Sequence, residues 1–314
     1  LAFAHLAAQA VQPVYQQFTE QDGLPSNYLK CLFQDSKGFI WIGTDKGLTR
    51  FDGIHFKTYT TDDGLSSNMI LSITEDEQGQ LWIGTFERGL CRFDGTEFEC
   101  WGQNEGLQTV SSISKLSNTV LFCSEGTGKL SRFDLKNKQA QLLVDFPMVG
   151  IDNALIALPT KQVIFPCGNK IFLLSEEGIR EEIFFQERNR SFFLKKGLTS
   201  QDGQLWLLDS QNKQLLKVEL IDKTLVIRDS LPGLGSNADL YEGDDFLIAN
   251  YSKGNAFLFV DKKRKSRQWI PNPHVGQNED LLIDSEGQLW LATLGYGLFV
   301  QKGYPYLHQL PGQY

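Results

Sequence analysis

The chain of 314 residues has a formal net charge of -8, with 41% hydrophobic and 22% charged residues. This composition is that of a folded globular protein and excludes a largely disordered chain. The acidic balance lacks the basic footprint of a general nucleic-acid binder, so we expect no nucleic-acid partner for this region. No apolar run reaches the roughly 20 residues that a membrane-spanning helix needs.

The first ten residues resemble the end of a secretion signal. Residues 1–10 are rich in alanine and leucine, and Ala8-Gln9-Ala10 has the small-x-small form of a cleavage site. We interpret residues 1–10 as the remnant of a signal peptide, so that the mature chain would begin near Val11 and work outside the cytoplasm. A disordered or helical N-terminus is the alternative.

The cysteines indicate neither a zinc site nor a disulfide framework. They are odd in number and none has C-x-x-C spacing. We expect most of them to be small buried hydrophobic residues. The five are Cys31, Cys91, Cys100, Cys123 and Cys167.

A repeat of 41 residues organises the chain. The segment from Gly23 to Gly53 returns almost unchanged between Gly64 and Gly95, and the steps from Gly23 to Gly64 and from Trp41 to Trp82 are both 41 residues. Both copies read Gly-Leu-x-Ser-Asn, then x-x-Gly-x-Ile/Leu-Trp-Ile-Gly-Thr, then Gly-Leu-x-Arg-Phe-Asp-Gly. A fixed period of this length is typical of propellers and solenoids.

One copy of the repeat predicts four short antiparallel strands. Their period-2 segments are Tyr28 to Gln34, Phe39 to Thr44, Leu48 to Phe51 and His55 to Tyr59, separated by Asp-, Gly- and Lys-containing turns. Four antiparallel strands in about 41 residues are typical of one blade of a β-propeller.

The tryptophan of the repeat can be followed along the whole chain. Spacings of 40 to 43 residues give seven units. We therefore predict an all-β fold, a seven-bladed β-propeller of four-stranded antiparallel blades over residues 11–314. The seven positions are Trp41, Trp82, Phe122, Phe165, Trp206, Leu247 and Trp290.

Ring closure requires the two chain ends to meet. The segment Tyr15 to Thr19 lies one period before Phe56 to Thr60, so it should be an outermost strand without a blade of its own. We predict that it completes the last blade, formed by about Asp280 to Lys302, because pairing there removes two exposed sheet edges. Tyr304 to His308 is the alternative closing strand.

The repeated motif resembles the two-component regulator propeller repeat. That repeat builds the periplasmic sensor regions of hybrid two-component systems common in Bacteroidetes. The resemblance implies that this is the first of two propellers, followed by a β-sandwich, an inner-membrane span and a kinase or transcription module. It further implies a homodimeric full-length sensor that responds to glycans or oligosaccharides and regulates genes for carbohydrate use.

Repeated aspartates and tryptophans are interpreted as structural. Asp35, Asp76, Asp202 and Asp284 recur at one turn, where a carboxylate can accept hydrogen bonds from nearby backbone N–H groups. Asp52 and Asp94 precede Gly53 and Gly95 in the same way. The tryptophans at mid-strand positions should pack between blades.

The candidate ligand site is the set of variable loops at one end of the ring. These loops lead into the first strand of each unit or connect its second and third strands. Aromatic, amide and charged groups there suit a sugar, which needs a flat apolar face and directional hydrogen bonds. The lead-in residues are Asn27, Asn68, Asn153, Arg190 and Asn237, and the alternative role of the repeated asparagines is to cap their own loops. The second-to-third residues are Asp45, Phe86, Glu87, Arg88, Asn169, Asn250, Tyr251 and Tyr296. For Phe86, Arg88, Tyr251 and Tyr296 the alternative is contact with a neighbouring domain or subunit.

No residue pattern predicts an enzyme. The four histidines, one of them in residues 1–10, are scattered, and the chain has no HExxH, P-loop, GxSxG or GxGxxG segment. We therefore expect a non-catalytic region without cofactor or metal. A secreted propeller lyase and a pure interaction scaffold are the alternatives.

Overall fold

Strands make up nearly all of the regular structure. The computed structural model describes residues 14–116, 119–124, 129–145, 155–167, 170–175, 178–186, 194–199, 204–209, 211–232, 238–242, 246–251, 256–261, 266–271 and 278–301. Within these ranges there are 28 strands and three 3-10 turns, at Glu20–Asp22, Thr61–Asp63 and Gln103–Glu105. Residues 1–10 lie outside the described part, and so does the alternative closing strand.

The strands of the first half are short and follow the repeat. They are β1 Tyr15–Phe18, β2 Leu29–Gln34, β3 Ile40–Thr44, β4 Leu48–Phe51, β5 Phe56–Tyr59, β6 Ile70–Glu75, β7 Leu81–Thr85, β8 Gly89–Phe93, β9 Phe98–Trp101, β10 Ser112–Leu116, β11 Thr119–Ser124, β12 Lys129–Asp134 and β13 Gln139–Asp145. The four strands predicted for the first repeat are confirmed to within one residue at each end.

The second half continues the same pattern with longer outer strands. These are β14 Ile156–Ala157, β15 Val163–Cys167, β16 Lys170–Ser175, β17 Gly178–Phe185, β18 Leu194–Thr199, β19 Leu205–Asp209, β20 Gln214–Ile221, β21 Thr224–Pro232, β22 Ala238–Glu242, β23 Phe246–Tyr251, β24 Ala256–Asp261, β25 Ser266–Pro271, β26 Asn278–Ile283, β27 Leu289–Thr293 and β28 Leu298–Gln301. Each of the seven tryptophan-equivalent positions lies in the second strand of its unit. The register differs by one residue in the third unit, where Leu121, not Phe122, pairs with Arg132.

Five of the described sheets have four antiparallel strands each. Their orders are β2-β3-β4-β5, β6-β7-β8-β9, β10-β11-β12-β13, β22-β23-β24-β25 and β1-β28-β27-β26. The last sheet contains the N-terminal strand, with Tyr15 opposite Gln301 and Phe18 opposite Leu298. The predicted closure by the N-terminal segment is therefore confirmed.

The sixth sheet has eight strands, which the sequence did not predict. Two antiparallel runs, β14 to β17 and β18 to β21, are joined because β17 pairs with β21 in parallel, with Phe184 opposite Thr224 and Phe185 opposite Leu225. The expectation of separate four-stranded sheets was wrong at this position. β17 and β21, the fourth strands of their runs, have eight and nine residues, whereas the fourth strands β5 and β9 have four each. Because they are longer, β17 and β21 meet at the outer rim.

Hydrophobic clusters fill the spaces between neighbouring four-stranded runs. Each of the seven clusters among the described residues takes side chains from two consecutive runs. Between β2–β5 and β6–β9, for example, Trp41 and Leu48 pack with Ile83 and Phe93. First strands lie side by side, with β2 between β26 and β6. The core is therefore a series of layers, each shared by two sheets.

A hydrogen bond between tryptophan and aspartate fixes the first turn of the units that keep the motif. The indole N–H donates to Oδ2 of the aspartate six residues earlier, while Oδ1 of the same carboxylate accepts two backbone N–H groups of the turn. The structural interpretation of these residues is confirmed for the three described pairs; Asp202 lies outside the described residues. The pairs are Trp41–Asp35 at 2.7 Å, Trp82–Asp76 at 3.0 Å and Trp290–Asp284 at 2.7 Å.

Polar side chains also join neighbouring sheets at this end of the fold. The backbone N–H of Ser36 donates to Glu75 Oε2 at 2.8 Å, and that of Ser285 donates to Gln34 Oε1 at 2.7 Å. Each bond ties the first turn of one sheet to the end of the first strand of the next. The turns therefore fix the spacing of the sheets as well as their own shape.

A disulfide joins two adjacent strands, contrary to the sequence-based expectation. Cys91 in β8 lies directly opposite Cys100 in β9, and the two are bonded. Cys31 is free and buried, as expected. The search for C-x-x-C spacing missed the pair because the bond crosses a hairpin, where opposite residues are separated by the length of the turn.

The indole hydrogen bond can be tested with a double-mutant cycle. Trp290 is 4% exposed and donates to Asp284 Oδ2 at 2.7 Å. Trp290→Phe should lower the free energy of unfolding by about 1.5–3 kcal/mol more in the parent chain than in the Asp284→Asn background, because only in the parent does it remove a bond to a buried carboxylate. Urea denaturation of the parent, the two single variants and the double variant measures the difference. Equal losses in both backgrounds would contradict the structural role of the Trp290–Asp284 bond.

The disulfide can be tested by removing one sulfur. Cys100→Ser should lower the free energy of unfolding by roughly 2–3 kcal/mol, the chain-entropy value for a loop of this size. Non-reducing peptide mapping of the parent should show the fragments containing Cys91 and Cys100 linked. Reductant should destabilise the parent and leave Cys100→Ser unchanged; an equal effect on both would show that this bond is not the one reduced.

Candidate functional site

The two sets of predicted loops meet at one end of the fold. The backbone N–H of Asp45 donates to the carbonyl of Tyr28 at 3.4 Å, and that of Phe86 donates to the carbonyl of Met69 at 3.0 Å. In each case a second-to-third loop is bonded to the lead-in loop of the same unit. We call this end the loop face. It lies opposite the end that carries the Trp–Asp turns, because successive strands run in opposite directions.

The lead-in loops are built by short capped turns. Thr19 and Asp22 form a reciprocal capping box around the first 3-10 turn, and Thr60 and Asp63 repeat it one period later. Each turn ends on a glycine in the left-handed conformation, such as Gly23 at φ 106°. The loops are consequently rigid, which favours a preformed surface.

The repeated asparagines are used inside these loops. Asn27 Oδ1 accepts the backbone N–H of Glu20 at 3.1 Å, and Asn68 Oδ1 accepts that of Thr61 at 2.9 Å. The loop-capping alternative accounts for both side chains. Their contribution to a ligand site is to hold the neighbouring residues in place.

The loop face is continuous across the junction of the two chain ends. The carbonyl of Asn27 accepts the N–H of Gly295 at 2.9 Å and that of Gly297 at 3.1 Å, and Gln17 Nε2 donates to the carbonyl of Tyr296 at 2.8 Å. The structure therefore brings together three predicted site residues, Asn27, Asp45 and Tyr296. We call these residues, with Tyr28, the closure cluster.

Tyr28 is the member of this cluster that the sequence did not single out. Its side chain is 54% exposed, close to the 47% of Tyr296. A Cβ on Gly295 would lie 3.7 Å from the Tyr28 ring, so the phenol lies over the glycine backbone. The only available signal was that the repeat has a different residue, Met69, at the same place in its second copy.

Charged groups border the two tyrosines. Asp45 is partly exposed, and its Oδ1 is buried and has no hydrogen-bond partner among the residues described. Lys46 Nζ donates to Glu20 Oε1 at 3.0 Å. This hydrogen bond and the charge of Glu20 raise the pKa of Lys46, which therefore stays protonated.

A second group of predicted residues lies in the next second-to-third loop. Phe86 is 37% exposed, and Glu87 and Arg88 are exposed beside it. Glu87 has a positive φ of 59°, and its N–H donates to Thr109 Oγ1 at 3.1 Å. The loop is thereby held against the next lead-in segment.

The other predicted site residues belong to the second half of the chain. Asn250 and Tyr251 were predicted in a loop, but their backbones lie in strand β23, where they pair with Asp239 and Ala238. The prediction of a loop there was wrong because β23 continues further than the second strands of the first units. The side chains of Asn250 and Tyr251, and the residues Asn153, Asn169, Arg190 and Asn237, lie outside the described part of the structure.

Potential metal ligands are not clustered in the described ranges. There, no group of three or more His, Cys, Asp or Glu side chains is placed to hold a metal ion. The same ranges contain no helix that is both long and apolar enough to cross a bilayer.

Comparison with solved structures defines the class of protein. The extracellular domain of the hybrid two component system BT3049 from B. thetaiotaomicron superposes with a TM-score of 0.73 at 17% identity, over 92% of this chain and 42% of that one. Virginiamycin B lyase from Staphylococcus aureus superposes with a TM-score of 0.71 at 12% identity, over 93% of this chain and 99% of the lyase. At these identities the likeness shows the fold alone, and that fold is a β-propeller.

Within this class, the sequence matches one repeat family. The profile of the two component regulator propeller family matches residues 23–46 and 64–87. These two segments are repeats of that family, and the predicted resemblance is confirmed. A segment of 54 residues is 43% identical to histidine kinase P4 from Formosa agariphila, covering 17% of this chain and 4% of the kinase. The chain spans less than half the length of the BT3049 domain, and its matched segment is a small part of the kinase.

The support of the Tyr28 ring can be tested at Gly295. Gly295→Ala adds a Cβ in van der Waals contact with the ring, at 3.7 Å, and at a left-handed φ of 94°, so it should cost about 1–2 kcal/mol of stability and change the surroundings of the phenol. Gly53→Ala is the control, since Gly53 has a similar φ of 96° and a Cβ added there would meet no atom within 4 Å. Tyr28 side-chain NMR signals should shift in the first variant only. A shift in neither variant would contradict the described contact.

Proposed function

We propose that this chain is a non-catalytic sensor propeller of a two component signal-transduction protein. The match of residues 23–46 and 64–87 to the regulator propeller family carries this proposal. The likeness to the extracellular domain of a hybrid two component system supports it. Since a propeller is a scaffold for many functions, the ligand must be argued from the site.

We propose further that the ring has seven blades. The support is one shared hydrophobic cluster for each pair of consecutive four-stranded runs, seven in the described residues. In this interpretation the eight-stranded sheet is two blades joined at the rim by β17 and β21. The ring is then rigid, and its loop face is a fixed surface.

An extracytoplasmic location fits the chemistry of the chain. The disulfide between Cys91 and Cys100 is stable in an oxidising compartment such as the periplasm. A signal peptide ending near residue 10 and a membrane anchor beyond this region would complete that placement. The full-length protein would then work as an inner-membrane homodimer, with a second propeller and a β-sandwich between this region and the membrane.

The proposed ligand is a glycan or oligosaccharide bound at the closure cluster. Two half-exposed tyrosine rings offer flat apolar surfaces, and the carboxylate of the partly exposed Asp45 would accept a hydroxyl hydrogen bond. Phe86, Glu87 and Arg88 would extend the surface along the loop face. A ligand that binds one arrangement of the dimer more tightly than the other would shift the dimer towards that arrangement. This shift would control the genes for carbohydrate use.

A propeller lyase is the second candidate. The observation in its favour is the superposition on virginiamycin B lyase over nearly the whole length of both chains. A lyase would need catalytic side chains on its loops. Incubation of the 314-residue chain with streptogramin B and with acidic polysaccharides, followed by mass spectrometry, separates the two: any turnover would overturn the non-catalytic proposal.

The ligand site can be tested by substituting the two tyrosines. Tyr28→Ala and Tyr296→Ala should each weaken binding of an oligosaccharide identified on a glycan array by about tenfold, since each removes one stacking face. Calorimetric titration measures the affinity. Ile54→Ala is the control, because Ile54 is 78% exposed in a turn at the other end of the fold. Unchanged affinity in both tyrosine variants would overturn the closure cluster as the site, and an array without any bound glycan would overturn the ligand class.

A further inference from the structure

A cavity of about 760 Å³ lies at the end of the fold opposite the loop face. It opens between the runs β14–β17 and β18–β21, and its lining comes from the connections between first and second strands and between third and fourth strands. The volume is in the usual range for a small-molecule site. The loop-face function described above makes no use of it.

The inner side of the cavity is bounded by a hydrogen bond between the two runs. Strand β14, Ile156–Ala157, ends at a turn in which the Leu158 N–H is bonded to the carbonyl of Gln162 at 2.8 Å. Thr199 Oγ1, in β18, donates to the carbonyl of Ala157 at 2.5 Å. This bond joins the first strands of the two runs on the side towards the axis.

The outer side of the cavity is bounded by the rim pairing. Phe184 and Phe185 in β17 pair with Thr224 and Leu225 in β21. The N–H of Phe184 also donates to the carbonyl of Lys223 at 3.0 Å. These bonds hold the two runs together at their outer edge.

One part of the cavity lining is apolar. Leu173, Leu205 and Val218 line it and belong to the buried cluster that the two runs share. Leu158 and Leu220 line it and pack against the same cluster while remaining partly exposed. A hydrocarbon chain that entered would replace water at a surface continuous with the core.

All the charged residues of the described lining are acidic. Glu181, Glu219 and Asp222 line the cavity, and no Lys, Arg or His is among the described lining residues. Lys223 pairs with Glu181 at 2.9 Å and Arg228 with Glu219 at 2.5 Å, but both bases lie outside the lining. The carboxylate of Asp222 has no such ion pair in the described residues and gives the mouth a negative charge.

We propose that this cavity binds an amphipathic organic cation, an alkyl chain that ends in an ammonium group. The chain would lie against Leu173, Leu205 and Val218, and the ammonium group would pair with Asp222 at the mouth. Thr160, Gln162 and Gln204 supply further polar groups around the opening. The site is independent of the loop face, so the full chain could respond to two ligands.

The experiment uses hexylammonium as the probe, with hexanoate and 1-hexanol as matched compounds of the same chain length. Methyl NMR of the 314-residue chain should show saturable shifts at Leu173, Leu205 and Val218 on titration with hexylammonium. Affinity for hexanoate should be at least tenfold lower. Failure of hexylammonium to shift these methyl groups, or equal affinity for hexanoate, would overturn the proposal.

Charge variants locate the ammonium group. Asp222→Asn should weaken hexylammonium binding about fivefold, and it should fold normally, because asparagine tolerates the positive φ of 52° at this position. Asp62→Asn, on the loop face, makes the same change of charge far from the cavity and should have no effect. If both variants weakened hexylammonium binding equally, the effect would come from the net charge of the protein, and the proposed pairing with Asp222 would be overturned.

Discussion

The structure depends on the hydrogen bond between an indole N–H and an aspartate in the turn that precedes it. In the first copy of the repeat, Asp35 accepts two backbone N–H groups and the N–H of Trp41, which is 3% exposed. One carboxylate thus shapes the turn and satisfies the polar atom of a large buried ring. The ring can then pack between two sheets without a desolvation cost for an unpaired donor.

Neighbouring sheets can approach closely because the strand that carries the tryptophan also has a glycine two residues later. A Cβ on Gly43 would lie 2.9 Å from a side-chain atom of Ile70 in the next first strand, and one on Gly84 would lie 2.3 Å from the carbonyl of Val110. The Trp-Ile-Gly-Thr segment therefore supplies the ring that fills the space between sheets and the gap that lets them meet.

The loop face combines rigid backbone with exposed rings. The N-terminal strand brings Gln17 to the carbonyl of Tyr296, 279 positions away in sequence. The strand pairing that joins the two chain ends therefore also brings the residues of the closure cluster together. Asn27 and Asn68 hold their own loops, and Tyr28 and Tyr296 are about half-exposed beside them. The cavity at the opposite end lies between the two runs that the pairing of β17 with β21 joins.

The sequence by itself determined the repeat, the four strands of a unit, the Asp turn, the closing role of Tyr15–Phe18 and two of the loops at the candidate site. All of these are set by period, turn chemistry and residues close in the chain. Tertiary structure alone decided that Tyr28 lies over Gly295, that Cys91 faces Cys100, that β17 pairs with β21, and that Asn250 and Tyr251 belong to a strand. These features depend on strand register and length and on contacts between different loops and sheets, for which a repeating pattern carries no signal.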